Sequence, residues 1–236
     1  MHIAIVLASG LGKRMDAGKN KVLLRLGGRP LIYYVLMAFE NHPKISQIVV
    51  CAREEEIKTF ESIAKKYKFR KISSIIKGGQ ERQDSAFNGL RYIKEKMAGS
   101  RKKNPVVLFH NGANPFVTKK EIDESIKTAE KYGACAVAHP TKDTIKEVGP
   151  GGEVVKTLDR GKLWNMQTPQ AIGFDLAYRA FQKASSERFV GTDDISLVER
   201  LGKKAKIIEG SLYNFKITTP LDLDLAKIIM KKKYIR

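Results

Sequence analysis

The stretch LASGLGKRMDAGKNK, Leu7 to Lys21, sets glycines 10, 12 and 18 among Lys13, Arg14, Lys19 and Lys21, with Asp16 as its one acid. Flexible backbone with free N–H groups, combined with fixed cations, suits a polyanion such as a triphosphate. Two familiar phosphate loops fail on their required residues. Gly10-Leu11-Gly12 begins a dinucleotide fingerprint, but Met15 stands where a third glycine must allow close helix packing. Gly18-Lys19 is followed by Asn20, so the hydroxyl that a P-loop gives to magnesium is absent. A solvated basic turn is the competing reading of the same residues.

Further segments carry chemistry-bearing residues in the same sense. GGQERQDSAFNGL, Gly78 to Leu90, offers Arg82 to a phosphate and Ser85 to a base edge or ribose, with Asn88 one turn on. Asp84 or Ser85 can equally serve only as a helix N-cap. HNGANPF, His110 to Phe116, places Asn111 where an uncharged oxygen would hold magnesium more weakly than a carboxylate. His110 reads either as a metal ligand or as a hydrogen-bonded buried histidine, and no second ligand lies near it in sequence. RGKLWNMQTPQ with Arg160, and TKDTIK with Thr144, offer a grip for a second anionic substrate. NFKITTPLDL presents Lys216, either to neutralise a phosphate or as an ordinary surface lysine. In GTDDISLVERLG, Thr192, Asp193 and Asp194 read as an N-cap with first-turn acids, or as carboxylates that help hold magnesium.

These segments need a scaffold that gathers them. Apolar runs IAIVL, QIVVCA, ISSIIK, VVLFH and CAVAH alternate with helical patterns such as Glu54 to Tyr67 and Gln83 to Met97. The alternation predicts an α/β fold, a Rossmann-like, mostly parallel sheet with helices on both faces. Polar residues that follow its strands then meet at one sheet edge, where such sheets bind ligands. Between Lys142 and Leu163, two short alternating segments flank Gly149-Pro150-Gly151-Gly152, which predicts a β-hairpin arm spanning about 140–164. Beyond LWNMQTPQ the pattern predicts two amphipathic helices, short strands at Lys206–Glu209 and Asn214–Ile217, and a closing helix that starts at Pro220.

A chain of 236 residues suits one domain, here 1–236 with the arm inside it. No window approaches eighteen uninterrupted apolar residues and the chain starts directly with a strand, so the expected setting is cytoplasmic, with no membrane partner. Cys51 and Cys135 lie in VVCA and ACAV and read as reduced, buried strand residues. A net charge of +19 raises the question of nucleic acid. Yet the charge is spread thinly and no aromatic residues interleave its densest runs, so a basic surface that favours a small anionic substrate is the simpler reading.

In this order, LASGLGKRM with Lys21 downstream, GGQERQDSAFNGL, DTIK, DRGKLWNMQTPQ, TDDISLVERLG and NFKITTPLDL resemble the 2-C-methyl-D-erythritol 4-phosphate cytidylyltransferases of non-mevalonate isoprenoid synthesis. The ribitol-5-phosphate cytidylyltransferases are their close relatives. The resemblance implies a nucleotidyltransferase fold and a homodimer packed through the β-arm. It implies that Arg14, Lys21 and Lys216 stabilise the triphosphate and the pentacovalent transition state. Ala8, Ser9, Gly10, Gly12, Gly79, Arg82, Ser85 and Asn88 fall where the family binds the nucleotide. Thr144 and Arg160 match residues that contact the sugar phosphate, some across the dimer. The family commonly reads HDAARP where this chain has HNGANP, so Asn111 replaces the metal-binding aspartate and Asn114 the substrate-phosphate arginine. Asn20 replaces a proline before Lys21, which is expected to leave that loop less rigid.

The implied reaction is in-line attack by the acceptor's phosphate on the α-phosphorus of CTP, with Mg2+ or another divalent cation and the three basic side chains neutralising charge. A different polyol phosphate acceptor, such as ribitol 5-phosphate, and a non-catalytic nucleotide- or RNA-binding relative are the alternatives that Asn111 and Asn114 raise.

Overall fold

The computed structural model describes residues 1–10, 20–97 and 104–232. Arg14 and Gly12, with Lys13 and Lys19, lie outside the described residues. A seven-stranded sheet runs in the order β11-β7-β10-β6-β1-β4-β5. Its strands are β1 (His2–Leu7), β4 (Ile45–Ala52), β5 (Ile72–Lys77), β6 (Val106–Asn111), β7 (Ala134–Pro140), β10 (Trp164–Gly173) and β11 (Lys206–Glu209). All neighbours are parallel except β10, which runs antiparallel between β6 and β7.

Side chains that alternate along each strand build two separate cores. Ile3, Ile5 and Leu7 of β1 face one layer with Phe87 and Leu90 of α3 (Arg82–Met97), Phe181 of α5 (Phe174–Ser186) and Leu197 of α6 (Asp194–Arg200). Ala4 and Val6 face the other layer with Leu36 and Phe39 of α1 (Leu31–Glu40), Phe60 of α2 (Ile57–Lys66) and Ile122 and Ile126 of α4 (Lys119–Tyr132). Both faces of the sheet are thus covered, as a mostly parallel sheet requires. A smaller cluster joins Leu26 and Leu31 to Phe116, Ile217 and the closing helix α7 (Pro220–Lys232). Leu26 lies in, and Leu31 directly follows, a short hairpin, β2 (Arg25–Leu26) with β3 (Arg29–Pro30). Among the described residues, no helix is long and apolar enough to cross a membrane.

The hairpin between Lys142 and Leu163 is present as β8 (Lys146–Val148) and β9 (Val154–Thr157), a two-stranded sheet of its own. Two expectations change. LWNMQTPQ is not a plain return but most of β10, and the register slips between Met166 and Gln170 around Pro169, where a ladder N–H is missing. Asn214–Ile217 is not a strand. That segment is fastened by single bonds instead: Asn214 Nδ2 donates to the Thr168 carbonyl at 2.8 Å and Ile217 N to the Ala113 carbonyl at 2.9 Å.

Candidate active site

The polar residues that follow β1, β5 and β6 meet at the C-terminal edge of the parallel strands. The described residues on either side of positions 11–19 are each held by side-chain hydrogen bonds. Asn20, buried, donates through Nδ2 to the Ala8 carbonyl at 2.6 Å and to Glu56 Oε2 at 2.7 Å, while its Oδ1 accepts from Val22 N. Asn20 thereby ties the chain ahead of Lys21 to Ala8 and Glu56, while residues 11–19 of that loop lie outside the described residues. Lys21 follows as the first residue of a 3-10 turn and is itself buried. Glu56, which also accepts from Arg53, was not legible as part of this support.

On the other side, Ser85 is buried on α3 and its Oγ lies 2.8 Å from Ser9 Oγ while accepting from Gly79 N at 3.0 Å. The hydroxyl thus fastens two loops together as a small nest. Gly78 is required there: a Cβ on it would stand 2.7 Å from Ser9 Cβ and 2.8 Å from Ser85 Oγ. Ala8, Ser9, Gly79 and Ser85 are brought together as the sequence suggests, with exposed Gly10 beside them. Asn88 is half-buried further along α3 and donates to the Lys77 carbonyl at 3.3 Å.

Next to this nest lies a cavity of about 340 Å³ bordered by Arg82, Asn111, Gln170, Asp193, Asn214 and Lys216, among others. Arg82 reaches across to α6, where its Nη1 and Nη2 donate to the two oxygens of Asp194 at 2.8 and 2.6 Å. Burial opposes the guanidinium's charge, but the Asp194 carboxylate outweighs it and keeps Arg82 above its ordinary range. Its Nε donates to Asn111 Oδ1 at 3.1 Å. Arg82 is therefore a fixed cation in the wall, and its fork is already engaged. Asp193 is the N-cap of α6, accepting from Ser196 N at 2.9 Å, and its other oxygen accepts from Gln170 Nε2 at 3.0 Å. Gln170 Oε1 in turn accepts from the Asp194 and Ile195 backbone N–H groups. This glutamine, in a strand that reads poorly from sequence, is a site residue that pattern reasoning missed.

Asn114 is buried in the cavity wall, with Nδ2 donating to the Asn214 carbonyl at 3.2 Å and Oδ1 accepting from Asn111 Nδ2 at 3.3 Å. Its amide offers no bidentate phosphate grip. Thr144 and Arg160 are exposed on the arm, and Arg160 Nη1 donates to the Lys142 carbonyl at 3.2 Å. Neither borders the cavity.

Among the described residues, the cavity's carboxylates are engaged and its buried unpartnered side-chain oxygens are the uncharged amides of Gln167 and Asn214, a poor set for a magnesium held by the protein. Such an ion needs several uncommitted oxygens. Both Asp194 oxygens and Asn111 Oδ1 face the Arg82 guanidinium, and both Asp193 oxygens accept from N–H groups. Among the described residues, no three His, Cys, Asp or Glu side chains gather as a metal site.

His110 is the buried, hydrogen-bonded histidine rather than a ligand. Its Nε2 lies 3.0 Å from the Asn114 carbonyl, which can only accept, so the ring carries its proton there. Burial pushes its pKa down to about 4, against a weaker opposing effect of that bond and with help from the Arg82 charge. Unfolded, the same ring titrates near 6.5. Between those values the unfolded chain binds a proton that the folded chain refuses, so this contribution is complete above pH 6.5 and is lost as pH falls. At pH 5.5 the loss from His110 is about 1.4 kcal/mol. His110→Gln should accordingly flatten the fall in Tm between pH 7 and 5.5, and an unchanged slope would show that other groups set it.

The chain matches the 2-C-methyl-D-erythritol 4-phosphate cytidylyltransferase family, IspD, over residues 2–232. A Halalkalibacterium halodurans enzyme of that name is 43% identical over 232 residues, 98% of each chain. Its Bacillus mycoides counterpart is 46% identical over 227 residues, 96% of each chain. Among solved structures, the 4-diphosphocytidyl-2C-methyl-D-erythritol synthase of Anaerococcus prevotii superposes with a TM-score of 0.82 at 28% identity, covering 98% of this chain and 96% of that one. A nest of serines and glycines beside a cavity walled by fixed cations, on this sheet and over this length of match, leads to one conclusion: the chain belongs to the 2-C-methyl-D-erythritol 4-phosphate cytidylyltransferase family.

Proposed function

We propose that the cavity and the adjoining nest bind CTP and a polyol phosphate, and that the chain transfers the cytidylyl group to 2-C-methyl-D-erythritol 4-phosphate. The observation that carries this reading is the match over residues 2–232 to a family of that activity. A phosphate oxygen of the acceptor attacks the α-phosphorus of CTP, a new P–O bond forms, and the bond to the α–β bridging oxygen breaks. Its electron pair leaves with pyrophosphate. The nucleophile already carries charge, so no general base is needed, and the chemistry rests on alignment and charge neutralisation. Lys21, buried after Asn20, and Lys216, at the cavity, supply positive charge, with Arg14 assigned the same role from the family pattern. Ser9, Gly79 and Ser85 shape the nucleoside end of the site.

The arm supports a homodimer: Val148, Val154 and Val155 are exposed on its small sheet, with Trp164 and Met166 exposed beside its base. Thr144 and Arg160 ride on that arm and reach the acceptor as part of the assembled dimer. A cytoplasmic setting accords with the absence of a membrane-crossing helix among the described residues.

The test is pyrophosphate release from CTP with a panel of polyol phosphates, at varied magnesium. Methylerythritol phosphate should be turned over with the highest kcat/KM. Faster release with ribitol 5-phosphate would reassign the acceptor, and no release with any of them would remove the activity.

A further inference from the structure

The side chains between Asp194 and Asn214 form one hydrogen-bond chain whose polarity is forced from both ends. Asp194, 1% exposed, accepts from Arg82, and a guanidinium can only donate. The Asn111 atom that Arg82 Nε meets at 3.1 Å must therefore be the amide oxygen. From the other end, the Asn214 carbonyl can only accept, so the Asn114 atom 3.2 Å away is its nitrogen and the Asn114 oxygen turns toward Asn111. Asn111 must meet that oxygen with nitrogen, at 3.3 Å. The two constraints agree, so this amide orientation follows from its partners rather than from an arbitrary choice of O and N.

The Asn111 nitrogen carries two hydrogens, and Asn114 uses one. Both side chains border the cavity, but Asn114 is buried with its nitrogen and oxygen each engaged, whereas Asn111 is half-buried, so the second N–H is what this side chain offers to an occupant. A divalent ion on the Asn111 oxygen would instead sit beside a guanidinium and be repelled by it.

We propose that Asn111 is a specificity-determining hydrogen-bond donor that grips a non-bridging phosphate oxygen of the nucleotide through Nδ2, with no cation between them. This rests on the assignment of the cavity to CTP and deepens it. A divalent ion that accompanies CTP is then carried on the triphosphate itself, without a ligand from this side chain. Asp194, Arg82 and Asn114 are positioning residues that keep the donor turned outward.

The test is calorimetric titration of CTP into the wild-type chain, N111D and N111A, each in EDTA and in excess magnesium. Wild-type protein should take up CTP in EDTA. N111D puts a carboxylate where a donor is required, so its affinity in EDTA should fall at least about tenfold, and magnesium should recover most of it. N111A should lose about threefold to tenfold in both conditions, keeping the wild-type ratio of magnesium to EDTA affinity. A narrowed ratio in N111A would mean that Asn111 acts through a metal and overturns the proposal. The same ratio in N111D as in wild type would also overturn it, and N111A decides the matter should N111D not fold. Absence of CTP uptake by the wild-type chain in either condition removes the nucleotide assignment itself, which is a separate failure.

Discussion

Lys216→Ala should lower the turnover number about a hundredfold or more while leaving the fold intact, if the charge acts at the transition state as proposed rather than in stability. The residue lies in an irregular segment, yet its neighbours are pinned: Asn214 and Ile217 are fully buried, and both are hydrogen-bonded to the wall that carries Thr168 and Ala113. Lys216 itself is exposed at the cavity's rim. A flexible four-carbon side chain on a fixed backbone can follow charge as it builds on the α-phosphoryl oxygens, whereas the ground state gains less from it. The loss should therefore appear mainly in kcat, with a smaller change in the KM for CTP. Lys216→Arg retains charge but spreads it over a planar fork, so partial recovery is expected. Since an exposed lysine contributes little to folding, Tm should stay within about 2 °C of wild type. Near-normal turnover in Lys216→Ala would strip the residue of this role.

Much of the fold was legible because burial on both sheet faces imposes a simple pattern. IAIVL and VVLFH are apolar on both faces, and alternate residues such as Ile5 and Val6 do go to opposite cores. What could not be read had no local signal. Trp164–Gly173 carries Asn, Gln and Pro in a central strand, and only its neighbours β6 and β7 make it one. Conversely, Asn214–Ile217 was expected as a strand, but it joins none of the described sheets and is fastened by Asn214 Nδ2 and the Ile217 N–H instead. At the site, Ser9, Gly79 and Ser85, grouped beforehand only by the family resemblance, lie in hydrogen-bond contact. The partners of Arg82 were hidden, because a lone arginine in a loop looks ready for phosphate until a carboxylate 112 positions away in the chain is found against it. The partners of Asn20 were hidden for the same reason: Ala8 and Glu56 lie elsewhere in the chain.

That long-range pair carries the other large expected effect. Asp194→Ala should cost about 3 kcal/mol, the lower end of the range for one partner of a buried ion pair, since the Arg82 side chain remains 30% exposed. For a chain of this length the corresponding fall in Tm is roughly 6–12 °C. The start of α6 should survive, because Asp193 still caps it and Gln170 still accepts from the backbone N–H at 194. The penalty is thus attributable to an arginine left without its carboxylate, and removing both charges separates the two meanings of the pair. In the R82M/D194L double variant most of the stability should return, because neither charge remains to be desolvated. Activity should not return with it, since Asn111 loses the donor that orients its amide and the cavity loses a fixed cation. Recovery of both stability and turnover would make the pair a structural clamp alone. A single-variant loss below about 1 kcal/mol would mean that solvent screens the pair as it does an exposed one.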